Sequence, residues 1–158
     1  MRMQTCCFSG HRTIRADQLD MVAARTEGVI RELIVKRGIR FFGTGGAIGY
    51  DYLCSRILFR LRKTDFPQIK VILIYPFEGY QDRWTQTQRD QYAQIWHQFD
   101  KRVCVSHVAC KEAFLDRNRH MVDRSSVLVA CCTRERSGTG CTVRYAKSKG
   151  IPVFNVAE

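Results

Sequence analysis

The sequence predicts an α/β fold, a Rossmann-like three-layer sandwich on a mostly parallel sheet, in a single domain over residues 1–158. Three observations carry this. Short apolar runs alternate with helix-period segments along the whole chain. The connections between them are short. Glycine-rich turns follow directly on strand candidates. Alternation with short connections demands right-handed crossovers and puts helices on both sheet faces.

The elements follow in order. Residues 4–9 (QTCCFS) form a first strand that ends at Gly10-His11-Arg12. From about residue 17 to 36, Leu19, Val22, Ala23, Val29, Ile30, Leu33 and Ile34 gather on one side of a helix, and Gly38 stops it. Residues 39–42 are a second strand leading into Gly43-Thr44-Gly45-Gly46-Ala47-Ile48-Gly49-Tyr50-Asp51. A helix then runs to about Leu61, with Ala47, Ile48, Leu53, Ile57, Leu58 and Leu61 as its apolar stripe. Residues 68–75 hold the continuous apolar run Val71-Ile72-Leu73-Ile74, as expected of a strand covered on both faces. Residues 87–99 are a third helix carrying Tyr92, Ile95, Trp96 and Phe99. Residues 102–106 are a weak fourth strand and 111–124 a fourth helix. Residues 126–132 are a strong fifth strand. A last helix spans about 141–149, Gly150 caps it, and residues 151–154 give the final strand.

Composition sets limits on function. Hydrophobic residues are 45% and charged residues 26%, ordinary for a folded domain. The 26 Lys and Arg against 15 Asp and Glu give a formal charge of +11, which attracts anions without choosing a fold. A nucleotide, a nucleic acid or an anionic surface would each answer that charge. No helix-turn-helix, zinc-finger or aromatic RNA-binding signature accompanies it. No leader pattern opens the chain and no apolar run nears the ~20 residues of a membrane span, so the expected location is cytoplasmic. The 8 Cys read as small buried apolar residues; in the pair Cys6-Cys7 the two side chains are expected on opposite faces of a strand. Cys104, His107 and Cys110 have ligand-like spacing, but no second cluster completes a metal site. No metal and no cofactor is expected. A homo-oligomer is compatible with the sequence.

The candidate chemistry sits mainly after strands. Glycines 43, 45 and 46, with Thr44, join a strand to a helix, where the backbone can approach a ligand and helix amides favour phosphate. No GKS or GKT follows, and ~20 residues on stands Lys63 with Asp65 a poor candidate for the ribose acid, which argues against a P-loop ATPase and a nicotinamide dehydrogenase. Asp51 is expected to orient the loop or accept a ribose hydroxyl. Gly10, His11 and Arg12 offer an imidazole and a guanidinium fork near the same crevice. In Asp116-Arg117-Asn118-Arg119-His120-Met121-Val122-Asp123, Arg117 is the anion ligand, Asn118 reads a base edge or holds a loop, and Asp116 and His120 are candidates for proton transfer. Ser137, Gly138 and Thr139 open the last helix as a second phosphate seat, beside Arg134 and Arg136. Tyr80-Gln81-Asp82-Arg83-Trp84 is a lid or a base-stacking wall.

Taken together, Cys7 to Arg12, Gly43 to Asp51, Tyr75-Pro76-Phe77, Asp116-Arg117-Asn118, Met121-Val122-Asp123, Ser137-Gly138-Thr139 and Tyr145-Ala146 resemble the YpsA-type branch of the SLOG superfamily. The resemblance implies a nucleotide-binding Rossmann-like domain. It is similar at greater distance to the LOG phosphoribohydrolases and to the DNA-processing protein of transformation. The LOG likeness places Arg117 four residues before Met121 as the catalytic arginine. It also calls for a glutamate just after Thr139, where this chain has Gly140, Cys141 and Thr142. Binding of a nucleotide or other phosphate-containing small molecule is therefore the leading expectation. A hydrolase of nucleoside monophosphates and a nucleic-acid module are the alternatives.

Overall fold

The computed structural model of the chain describes residues 1–157. The strands are β1 (Thr5–Gly10), β2 (Phe41–Thr44), β3 (Lys70–Tyr75), β4 (Lys101–Cys104), β5 (Val127–Cys131) and β6 (Val153–Asn155). The helices are α1 (Leu19–Arg37), α2 (Tyr50–Thr64), α3 (Gln86–Ile95), α4 (Glu112–Asp123) and α5 (Gly138–Ser148). One sheet runs in the order β4-β3-β2-β1-β5-β6, and every pairing in it is parallel. The expected α/β sandwich is thus the fold.

Side chains alternate across the sheet and sort into two cores. Cys6, Phe8, Phe42, Val71, Leu73, Val127 and Val129 point to the α1–α2–α3 side, where Ile30, Leu33, Leu58 and Leu61 cover them. Cys7, Ile74, Leu128 and Ala130 point to the smaller core under α4 and α5, with Met121, Val122 and Ala146. Cys6 and Cys7 therefore lie on opposite faces, as the strand period requires. The eight cysteines are free thiols.

Local chemistry sets the helix ends. Gly38 terminates α1 at φ 66°, a left-handed position that costs glycine no Cβ clash. Thr85 and Gln88 form a reciprocal capping box at the start of α3. Two expectations shift. Helix α5 begins at Gly138 rather than near Cys141, because the Ser137 hydroxyl accepts the Gly140 amide at 2.9 Å and starts the helix early. Ala47 and Ile48 precede α2 instead of belonging to its stripe; Tyr50, Cys54, Ile57, Leu58 and Leu61 make the buried face. No helix is long and apolar enough to cross a membrane among the described residues.

Leu58 is fully buried between α2 and the sheet. Leu58→Ala is expected to lower the unfolding free energy by about 2–5 kcal/mol, read as a drop in urea midpoint without a change in slope. A loss below ~1 kcal/mol would mean that the site collapses to refill the space.

Candidate functional site

From β1 the chain builds outward through β2, β3 and β4, then returns to add β5 and β6 on the other side. The strand order therefore reverses between β1 and β5, and ligands of open parallel sheets bind in the crevice beyond the carboxyl ends at that point. A cavity of about 290 Å³ lies there. Its walls come from the β1 loop, the start of α2, helix α4 and the β5–α5 turn.

His11 ties two of these walls together. Its Nε2 accepts the Thr133 amide at 2.9 Å, and Nδ1 lies 3.4 Å from Arg134 Nη2. Burial, and then the Arg134 charge, lower its pKa below the usual 6.5. The neutral ring thus carries its proton on Nδ1 and serves as a bridge between the β1 and β5 loops. Its carbonyl also accepts the Tyr50 amide at 3.1 Å, fixing the start of α2. Gly49, at φ 81°, lets the β1 loop lie directly on this turn, since a Cβ there would strike the Arg12 carbonyl.

The crevice floor is a buried polar group built from three segments. Arg117, on α4, is 5% exposed, and Asp51, in the first turn of α2, is also 5% exposed. Arg117 Nη1 donates to the Gly45 carbonyl, and Nε donates to Asn118 Oδ1 at 2.8 Å. Asp51 Oδ2 accepts the Ala47 amide at 3.2 Å. A Cβ on residue 45 would come within 2.8 Å of both Arg117 Nη1 and Asp51 Oδ2. Glycine at 45 is what allows the group to close. Tyr80 and Tyr92 brace the loop from beneath, their hydroxyls donating to the carbonyls of Gly46 (2.9 Å) and Ala47 (2.5 Å). Asp51 Oδ1 is buried without a hydrogen-bond partner. Burial pushes this carboxyl up to about 6, against the pull of Arg117, the nearby Ala47 and Gly45 amides and Arg12. Burial likewise lowers the Arg117 pKa, which the Asp51 charge opposes.

The opposite wall is the start of α5. Ser137 accepts the Gly140 amide on its hydroxyl and the Cys141 amide on its carbonyl. The amides of Gly138 and Thr139 then have no acceptor among the described residues, as the first turn of a helix dictates. Arg12, Arg117 and Arg134 line the crevice with Asp51 as its single acid. Three guanidinium groups and two free amides give it the donors and positive charge that anions favour.

Gly10, His11, Arg12, Asp51, Arg117, Asn118, Ser137, Gly138 and Thr139 thus converge on one cavity. The other sequence candidates are placed elsewhere. Gly43 and Thr44 belong to β2, with the Thr44 hydroxyl 3.1 Å from Ser55 Oγ. Gly45 and Gly46 hold Arg117 and Tyr80 through their carbonyls, so this turn builds the floor of the crevice rather than cradling an anion with its amides. Asp116 faces solvent and pairs loosely with Arg119 at 3.7 Å, because residue 117 occupies the inward position of the helix. His120 lines a separate groove with Met1, Phe41 and Arg124. Neither lines the crevice. Sequence reasoning passed over Phe114, whose ring lies 5.6 Å from the Arg12 guanidinium carbon and 5.9 Å from that of Arg117. Its signal was the spacing of three residues before Arg117, one helical turn. The Asp123 and Tyr145 motifs latch α4 to α5 through a 2.7 Å hydrogen bond.

Fold and site together define a Rossmann-like α/β domain with an arginine-lined crevice at the reversal of its strand order. The sequence profile described as YspA SLOG (YpsA) matches residues 14–149. The chain belongs to that family. It is 30% identical over 131 residues to the SPbeta prophage-derived protein YoqJ of Bacillus subtilis, covering 75% of this chain and 76% of that one. It is 25% identical over 107 residues to a UPF0398 protein of Shouchella clausii, covering 66% of this chain; the match spans 57% of the relative's length. Among solved structures, DNA processing protein A of Streptococcus pneumoniae superposes with TM-score 0.67 at 17% identity, over 97% of this chain and 50% of that one. The Helicobacter pylori DNA processing protein A gives TM-score 0.65 at 18% identity, over 98% and 65%. These two likenesses are of fold.

The Asp51 carboxyl titrates at about 6 in the folded chain against an ordinary 3.8. Between those values the folded state binds the extra proton, so stability falls as pH rises from about 3.8 to about 6 and is then flat. Asp51→Asn keeps an oxygen for the loop amides and removes the buried charge. It is expected to stabilise the chain at pH 7.5 by on the order of 1–3 kcal/mol, and the gain should largely vanish at pH 4. Urea titrations of both proteins at the two pH values check this; an equal difference at both would refute it.

Proposed function

We propose that the crevice binds a nucleotide or nucleotide-derived anion. The observation that carries this reading is the convergence of Arg12, Arg117, Arg134 and the free Gly138 and Thr139 amides on one cavity at the β1/β5 reversal. Arg117 presents a planar fork already fixed by Gly45 and Asn118, so little side-chain freedom is lost on meeting a phosphate. Asp51 adds selectivity. The buried Asp51 carboxylate beneath the crevice repels a bare anion, which favours a ligand that carries donors, such as ribose hydroxyls, close to its phosphate. Family membership supports the general class of protein.

Calorimetric titration with nucleoside monophosphates is expected to find at least one ligand tighter than ~100 µM. Arg117→Ala should weaken it by at least about tenfold, the usual scale for loss of a buried charged hydrogen bond. Unchanged affinity in R117A would remove the crevice from consideration. A single-stranded oligonucleotide belongs in the same titration, because the Helicobacter pylori neighbour is named for single-stranded DNA binding. Attraction to it that disappears at ~200 mM salt would be the non-specific pull of a +11 chain.

Asp51 also favours a second reading, hydrolysis of nucleoside monophosphates. No carboxylate follows Thr139, but Asp51 sits in the crevice with a pKa close to working pH. In that reaction protonated Asp51 gives its proton to the leaving base as the C1′–N bond breaks. Water adds at C1′, yielding ribose phosphate and returning a proton to the carboxylate. Release of free base, lost in Asp51→Asn, is the expected result. Binding without release leaves the chain a binding protein.

A further inference from the structure

A second cavity, of about 600 Å³, adjoins the crevice, and Arg12 and Phe114 line both. It lies over the segments after β3 and β4, so it opens at the same carboxyl edge of the sheet. Its character differs from that of the crevice. Phe77 is half-buried and meets Phe114 edge-on, with ring centroids 5.5 Å apart at 83°. Trp84 is half-buried behind it, packed against Tyr80 and Tyr92. Two carboxylates, Glu78 and Asp82, stand among these rings, with Arg83 and Lys111 also on the cavity wall. Glu78 accepts the Tyr75 hydroxyl at 2.5 Å and is thereby fixed in place.

Half-buried aromatic rings with adjacent carboxylates suit a planar ring that carries amino donors, the chemistry of an amino-bearing nucleobase. A mononucleotide whose base and phosphate both lie in the crevice leaves this cavity empty. Any molecule that fills both must cross the shared wall. There the exposed Arg12 guanidinium lies over Phe114, with its carbon 5.6 Å from the ring centre. A phosphate bridge is the group such a crossing favours. We propose that the second cavity seats a second nucleobase of the bound ligand, so that the preferred ligand is a small dinucleotide whose bridging phosphates pass over Arg12. This deepens the nucleotide reading and rests on it.

Three probes test the proposal on the intact chain: AMP, di(adenosine-5′) diphosphate, and the 5′-phosphorylated 3′,5′-linked dinucleotide pApA. The variant is Phe77→Leu, which keeps apolar volume and removes the π-face; a thermal melt confirms that it is folded. Calorimetry is expected to show the 5′,5′-linked probe binding at least about tenfold tighter than AMP, equivalent to about 1.4 kcal/mol. Phe77→Leu should remove most of that advantage while leaving AMP affinity within about twofold. Equal affinity for AMP and the 5′,5′ probe overturns the second seat but leaves the nucleotide reading intact. A variant that weakens both probes alike also overturns it. Tighter binding of pApA than of the 5′,5′ probe would assign the cavity to a nucleic-acid strand and end the small-ligand proposal. Absence of binding by all three removes the nucleotide reading, and this proposal with it.

Discussion

The hydrogen bond from the buried Arg117 guanidinium to the Gly45 carbonyl is the contact on which the rest of the site depends. Helix α4 covers one face of the sheet and α2 covers the other, so nothing in either core joins them directly. Arg117 joins them across the carboxyl edge, where the β2–α2 turn comes within its reach. Asn118 fixes its Nε, Asp51 offsets part of its charge, and the hydroxyls of Tyr80 and Tyr92 hold the turn that accepts it. A cation buried this far persists only where partners surround it. The glycine turn is one of those partners, and that explains why residue 45 has no room for a side chain.

The same arrangement sets stability against function. Asp51 keeps one oxygen unsatisfied, and burial raises its pKa despite two amides and a neighbouring guanidinium. The folded chain therefore holds a destabilised carboxylate at the floor of a cationic crevice. Such groups concentrate where a ligand completes the missing contacts. His11 works in the opposite sense. Its lowered pKa keeps it neutral and able to accept the Thr133 amide, so it steadies the two loops that frame the crevice. A histidine beside an arginine is readily taken for a proton carrier; here its surroundings make it a brace.

The elements were legible because their period and punctuation were plain. The alternation of strand and helix, the stop at Gly38 and the doubly covered run Val71 to Ile74 all appear in the structure where the pattern puts them. The crevice was legible in part. Gly10, His11, Arg12, Asp51, Arg117, Asn118 and residues 137 to 139 were recognisable as polar groups next to strand ends or on one helical turn. Asp116 and His120 misled, because a dense polar helix does not reveal which of its faces is inward. With Arg117 turned to the crevice, Asp116 faces solvent and His120 lies toward another groove. Phe114 was silent, since an aromatic residue in an amphipathic helix reads as core until its neighbours are known.

The sequence by itself determined the order of elements, the parallel sheet and the excess of positive charge, because periodicity, turn residues and composition are local properties of the chain. Only the tertiary structure decided which atoms meet. Residue 45 approaches residue 117 across 72 positions, and residue 11 approaches residue 133 across 122. Whether a glycine turn offers its amides or its carbonyls depends on what packs beneath it. Here two tyrosines and an arginine take the carbonyls, and the free amides are those at the start of α5.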